Sequence, residues 1–596
     1  MKRKNLFLVL VISIMLLAVS CGPGKKKSES GGEKIETLKF PIAVENNEKA
    51  VEGGILKVAL VRSDPLVGVL NESLYEDGSD GRIIAAFVGS ALFDRNDDFE
   101  ITDTGAATLT VDIPNKKAVI KIKDNVKWSD GQPLVADDVI YPYEVVGHKD
   151  YTGVRYDDES KRIIGIEDYH NGKSETISGI KKIDDKTVEI SFKELGQGIY
   201  TIGNGLIGHA LPKHQIKDIP IKDLVSNEKS RTYLVTTGPY YVAKSVHGES
   251  LELKANPHYF KGKPKIETVT VQVVNPQTIV AALKAGEYDF AYDIPSDAYK
   301  IYKDLDNLNI IGRQDLYYSY MGFNLGHFDK EKGENVTDPN AKMGDIKLRK
   351  ALAYGLNIDE IINAFYHGLR ERATSSVPPV FKKYFPEGLE GYPYNPEKAK
   401  QLLDEAGYKD VDGDGYREDK NGKPFEVRIA AMAGGDIAEP LAQSYIQNWK
   451  NIGIKAVLSS GRLMERNNFY DKVQANDKEI DVFFGAWNVG TNLNPFESKG
   501  RTAQFNLTRF VFEENDKLMA EIAGEKSLTV EGYKAEAYKK WQEYYIDQAV
   551  EVPLMYKYGV FPVNKRVKNF GLYNNDYEGG VHLIELTAKE PIKSNK

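Results

Sequence analysis

Apolar and polar positions along this chain follow two different periods, and the interleaving of the two sets the fold class. Thr187-Val188-Glu189-Ile190-Ser191-Phe192 and Thr268-Val269-Thr270-Val271-Gln272-Val273 put every second residue on an apolar face, the pattern of a strand with one side buried. Elsewhere the period lengthens to that of a helix. Asn395-Pro396 offers an N-cap with proline at the first helical position, and Ala399, Leu402, Leu403 and Ala406 then form an apolar stripe that stops at Gly407. Asn275-Pro276 repeats the arrangement, with Ile279, Ala282 and Leu283 as the stripe and Gly286 as the stop. Strands and helices mixed over the whole length predict an α/β protein.

The N-terminus follows a different logic. Lys2, Arg3 and Lys4 precede a mostly apolar run from Leu6 to Val19 that ends at Ser20-Cys21, which reads as a secretory signal peptide over residues 1–20. The run falls short of the ~20 apolar residues of a comfortable bilayer span. Residues 21–52 are rich in Lys, Ser, Gly and Glu and predict a flexible tether. Cys21 is the only cysteine, so no internal disulfide can form even in an oxidising compartment. Ala18-Val19-Ser20-Cys21 resembles the bacterial lipobox, with the usual leucine one place early at Leu17. That resemblance implies acylation of Cys21 and a protein outside the cytoplasm, held at the bacterial membrane by an N-terminal lipid.

Composition narrows the function by exclusion. The 87 acidic and 79 basic residues leave a formal charge of -8, which favours solubility and argues against a nucleic-acid partner. The 35 tyrosines could furnish a binding cleft with rigid amphipathic contact area, or simply fill cores and strands. The sequence contains no Gly-x-Ser-x-Gly elbow, no His-Glu-x-x-His and no Walker-type phosphate loop. Asp137 and Asp138, being adjacent, face different ways on any regular element and make a poor glycosidase pair. The chain is therefore expected not to be an enzyme; an exported hydrolase is the minority reading.

One local motif carries metal chemistry. In Asp410-Val411-Asp412-Gly413-Asp414-Gly415-Tyr416, Asp410, Asp412 and Asp414 occupy the first three ligand positions of an EF-hand loop, and Gly415 its turn position. Asn421 stands where the bidentate carboxylate belongs, with Glu418 or Asp419 as partial substitutes. Calcium is the candidate ion, held weakly; the alternative is an Asp/Gly-rich turn leading into a strand from Phe425 to Met432. No other cofactor is expected.

Several separated blocks, in order, resemble family 5 solute-binding proteins of ABC importers, the peptide and nickel class. Val126-Lys127-Trp128-Ser129-Asp130-Gly131-Gln132-Pro133-Leu134 with Val135 to Val139 is similar to the family's signature segment. Thr237-Gly238-Pro239-Tyr240, Asn256-Pro257-His258-Tyr259-Phe260, Leu283 to Asp289, Tyr320 to Asn324 and Asp345 to Leu352 follow. Ala399 to Gly407 with its acidic turn, Trp487 to Pro495 and Val563-Asn564-Lys565-Arg566-Val567 complete the series. Together they cover nearly everything from Gly53 onward.

The resemblance implies a two-lobed periplasmic-binding-protein-like fold with discontinuous lobes and an extra subdomain, joined by a two-segment hinge. Lobe I would comprise residues 53–93, 211–312 and 550–596, the inserted subdomain 94–210 and lobe II 313–549, with crossings near Arg313 and Ala549. A ligand touching both lobes would stabilise the closed state that an importer reads. Members that bind peptides hold them as an added β-strand, so Val67, Gly68 and Val69 on lobe I and Gly485, Ala486, Trp487 and Asn488 on lobe II are expected to face an oligopeptide. Tyr318, Tyr320 and Asn324 are further cleft candidates. Many peptide-binding members place an aspartate shortly after the tryptophan, to pair with the peptide's ammonium; here no acid follows before Glu497. The neutral amides of Asn492 and Asn494 stand in that loop instead, which favours ligands recognised along their length. The expected partner is an ABC permease, and the protein itself a monomer. A surface peptide sensor or adhesin, or a binder of a nickel complex or a sugar, are the alternatives within the binding class.

Overall fold

Two long antiparallel strands, Leu308–Phe323 and Glu551–Asn564, run through the middle of an eleven-stranded sheet and belong to both of its halves. This is seen in a computed structural model that describes residues 39–572 and 580–596. On one side of the pair follow Phe290–Tyr292, Ile55–Val61, Thr268–Val274, Ser250–Ala255 and Tyr240–Val246; on the other follow Val482–Asn488, Glu426–Ala430 and Lys455–Leu458. Each half is a lobe with its own core. Leu56, Val58, Phe87, Phe290 and Val563 pack together in lobe I. Tyr318, Tyr320, Phe469, Phe483 and Tyr556 do so in lobe II.

The subdomain carries a separate antiparallel sheet, ordered Ala107–Asp112, Lys117–Ile122, Thr187–Ser191 and Ile180–Asp184, with its own core around Ile120, Trp128, Val139 and Ile190. Here the signature segment shows its use. The indole N–H of buried Trp128 donates to Asp138 Oδ2 (3.0 Å), which also accepts the Val135 N–H and so fixes the start of the helix Ala136–Val146. Asp137 points the other way, to Lys182 at 2.7 Å.

Local sequence rules account for most element boundaries. The helix Pro396–Ala406 begins with Asn395 Oδ1 accepting the Lys398 N–H (2.9 Å) and ends at Gly407, whose φ of +90° suits glycine. The helix after Asn275 starts later than its sequence suggests, at Ile279, because the Asn275 side chain caps Gln277 in a turn first. The strand expected from Phe425 to Met432 is limited to Glu426–Ala430.

Two boundary expectations need correction. Residues 39–52 are not a free tether: the Phe40 ring packs 5.9 Å from both Tyr299 and Tyr558, and Pro41 O accepts the Gly312 N–H at 3.0 Å. Ala43 bridges Gly571, and the Val44 and Val51 N–H groups bond to Phe570 and Leu586. The polar composition hid a short apolar island, Phe40 to Val44, that has lobe I surface to cover. The second crossing also lies further along than Ala549. The return strand pairs with Arg370–Arg372 up to Lys557 and with Phe290 only at Val563, so it changes lobes within its own length. No helix among the described residues is long and apolar enough to cross a membrane, and residues 1–38, including Cys21, lie outside that range.

Candidate ligand-binding cleft

The strand Val482–Asn488 is paired along its full length on one edge and only briefly on the other. Its partner on the inner edge is Leu308–Phe323, from Phe323 opposite Val482 to Tyr317 opposite Asn488. On the outer edge Glu426–Ala430 reaches only Val482 and Phe483, leaving residues 484–488 without a strand neighbour there. Backbone polar groups at such an edge need a partner, and an extended peptide can supply one. Gly485 and Ala486 of this edge line a cavity of about 380 Å³. Its walls come from lobe II and, through Pro295 and Asp297, from lobe I.

The lobe I residues expected to oppose this edge are in a different condition. Gly68 (φ +76°) and Val69 give their N–H groups to Asp80, at 3.0 and 2.8 Å, so those donors are not free for a ligand. Asp80 is fully buried, and burial pushes its carboxyl above the usual carboxylate range. Gly68 O accepts from Thr232 Oγ1 (2.8 Å), and Val67 O from Arg231. What this loop can offer is carbonyl lone pairs and the exposed Val67 side chain.

Tyr318 and Tyr320 both pack in the lobe II core, but only Tyr320 also reaches the cavity. Tyr318 is a core residue: its hydroxyl donates to Glu551 Oε1 at 2.6 Å, and Glu551 forms a buried ion pair with Lys499, also at 2.6 Å. Burial and then the Glu551 charge hold the Tyr318 hydroxyl far above its usual range. Tyr320 is equally buried but touches the cavity wall. Asn324 leaves the cleft altogether. Its amide donates to the carbonyls of Asp477 and Ile480, which ties down the turn before Val482–Asn488. Sequence reasoning missed Tyr317 and Ser319, which alternate with the named tyrosines and face the cavity.

Trp487 is half-buried, beside Tyr318 in the lobe II interior and 5.6 Å from the ring of exposed Phe505. Asn488 is exposed and caps the Gly490 N–H at 2.9 Å. Asn494 likewise spends its oxygen on the Phe496 N–H. Asn492 and Asn494 line a crevice where lobe II meets subdomain residues Glu159, Gly196 to Gly198 and Asn204. Nearby, Lys383 bonds to Asp98 (2.9 Å) and Glu100 (3.2 Å), and Phe99 packs on Phe381 at 5.1 Å, so the two sides touch.

Acids do reach the loop that lacks an aspartate. Glu497 hydrogen-bonds Asn492, and burial, reinforced by the charges of Asp157 and Glu159 from the subdomain, pushes its carboxyl up to about 7. Glu159 is itself paired with Arg162 at 3.3 Å. In the turn at Asp410, the three carboxylates within 4.8 Å of one another belong to Asp410, Asp412 and Glu418. Asp414, expected as the third ligand, is not among them; its carboxylate turns to the Tyr416 N–H at 2.7 Å. Asp410 and Glu418 also bond backbone N–H groups of the turn, at Gly413, Gly415 and Val411.

Two lobes joined by a pair of shared strands, with an open strand edge in a cavity between them, define a solute-binding protein. The profile of the bacterial extracellular solute-binding proteins, family 5 Middle, matches residues 103–500, and the chain belongs to that family. It is 34% identical to the oligopeptide-binding protein OppA of Lactococcus lactis subsp. lactis over 598 residues, covering 98% of this chain and 99% of the relative. The lactococcal OppA structure, complexed with an endogenous peptide in the closed conformation, superposes with a TM-score of 0.78 at 33% identity over 90% of this chain and all of that one. AppA from Bacillus subtilis in complex with a nonapeptide gives 0.68 at 25% identity, with the same coverage.

Proposed function

We propose that this protein binds oligopeptides between its lobes and delivers them to an ABC-type permease for import, from a position outside the cytoplasm where an acylated Cys21 holds it at the membrane. The observation that carries the reading is the unpaired edge of residues 484–488 beside the interlobe cavity. A strand edge recognises any peptide backbone, while a roomy cavity tolerates varied side chains, a combination suited to a ligand class rather than a single compound. Val67, Gly68, Val69, Tyr320, Gly485, Ala486, Trp487 and Asn488 are the proposed contacts, with lobe I contributing acceptors rather than donors. Asn492 and Asn494 flank the acidic end of the cleft, beside Glu497.

Closure follows from contacts shared by both lobes, since a ligand shifts the open–closed equilibrium only by its differential affinity for the two states. Mass spectrometry of material released from the purified protein by denaturation tests the proposal. A population of peptides is expected, and the same peptides should shrink the radius of gyration of ligand-free protein. Release of a nickel complex or a sugar in place of peptides would overturn it.

A further inference from the structure

We propose that Arg370 forms a carboxylate-binding subsite in the cleft, which favours peptides carrying an acidic group, either a C-terminus or an Asp or Glu side chain, next to the Gly485–Ala486 edge. The inference rests on the peptide reading and adds a chemical preference to it.

The argument starts from how this chain treats its other buried guanidinium groups. Arg566 is saturated by both oxygens of Asp289 and by the carbonyls of Ile55, Ala588 and Lys589. Arg349 donates to the carbonyls of Met343, Gly344, Gln548 and Ala549. Arg509 bonds to Asn335, Asn476, Gln474 and Gln504. These three buried guanidiniums are held by four or more hydrogen bonds each. Arg62, which leaves its Nε without a partner, is still held by Asp64 and Asp77.

Arg370 has no such hold. It lines the interlobe cavity, and its Nη1 is shut off from solvent with no hydrogen-bond partner. The carboxylate whose field reaches it, Asp315, is engaged by Lys557 at 3.4 Å and by the Leu316 N–H at 2.9 Å. Asp297, on the lobe I wall, forms no ion pair with it among the described residues.

Placement supports a ligand role as well. The short strand Arg370–Arg372 sets Arg370 opposite Lys557 on the return strand, so two cations share one wall of the cavity. The guanidinium carbon lies 4.9 Å from the centre of the Tyr366 ring. Stacking of this kind holds one face of the group and makes no demand on its in-plane N–H donors, which are the groups that a carboxylate matches with two parallel bonds once the ligand is seated. A buried charge with unfilled donors is costly, and a ligand anion recovers that cost where a neutral isostere does not. Tyr317 and Ser319 on the same wall provide hydroxyl groups for the oxygens left over.

The test uses the full-length protein in detergent and a synthetic nonapeptide library with Glu, Gln or Leu at one scanned position and a free or amidated C-terminus. Retained peptides are counted by mass spectrometry. Wild type is expected to prefer acid over its neutral counterpart by tenfold or more in one of the two arms. The Glu/Gln arm identifies a side-chain carboxylate and the free/amidated arm a terminus. Arg370→Gln should bring that ratio to within about twofold of unity, and Arg370→Lys, which keeps the charge but loses the fork, to an intermediate value. Should Arg370→Gln fail to fold, the wild-type ratio and its fall in Arg370→Lys decide the matter. Ratios near unity in wild type, or a ratio untouched by either substitution, would overturn the subsite while leaving peptide binding intact. Failure of wild type to retain any member would instead overturn the peptide reading, and this inference with it.

Discussion

Arg566 grips both carboxylate oxygens of Asp289, at 2.6 and 2.7 Å, with neither side chain exposed to solvent. Two of the family's sequence blocks, some distance apart in the chain, thus meet at one point. Asp289 also accepts the Lys57 N–H, so the pair ties the end of the chain to the strand that begins lobe I.

Removing one partner of such a pair leaves the other charged, buried and alone. Arg566→Ala is expected to lower unfolding stability by ~3–5 kcal/mol, read from the denaturant midpoint, with the same loss for Asp289→Ala. A change below ~1 kcal/mol would mean that water reaches the pair.

The contrast between what could and could not be read from sequence follows the range of the interactions. Strand periodicity and the Asn395 cap are local, and each is legible in a window of a dozen residues. The state of the cleft is not. Nothing around Val67 announces that Asp80 has taken the N–H groups of Gly68 and Val69. Arg370 reaches the cavity only because Arg370–Arg372 pairs with the return strand, a contact far away in the chain. Glu497 gains its acidic neighbours only because the subdomain folds back against lobe II.

Trp487 separates packing from recognition. Its indole lies half in the lobe II interior, in the strand that offers the free edge. Trp487→Ala should weaken peptide binding by ~2 kcal/mol or more in calorimetry, the range of an aromatic hot spot, with a smaller effect on folding. Unfolding by ~3–5 kcal/mol instead would make it a core residue.

Glu497 makes closure depend on pH. With lobe II against the subdomain, burial and the charges of Asp157 and Glu159 push its carboxyl up to about 7; an opening that draws the two apart would wet it and return it toward the ordinary value of 4.5. The closed state then binds more protons, so closure is favoured as pH falls from about 7 to about 5, by up to tenfold per unit, and is indifferent to pH above that window. Proton uptake on ligand binding, measured in buffers of different ionisation enthalpy at pH 6, should vanish in Glu497→Gln. No uptake in wild type would place a cation, such as a peptide ammonium, beside the carboxylate.

Cys21→Ser bears on the anchor. The variant is expected to move the mature protein from the membrane fraction to the medium with its ligand affinity unchanged, because acylation contributes only to membrane partition. Membrane retention equal to wild type would count against a lipid at this residue.

The contact of Phe40 and Pro41 with Tyr558 and Gly312 fixes where force from the leading segment enters the folded body. It enters at the pivot, beside the two strands that both lobes share. If Cys21 is acylated as proposed, a pull delivered there has almost no lever arm about the axis of opening, so tension would neither pry the lobes apart nor clamp them shut.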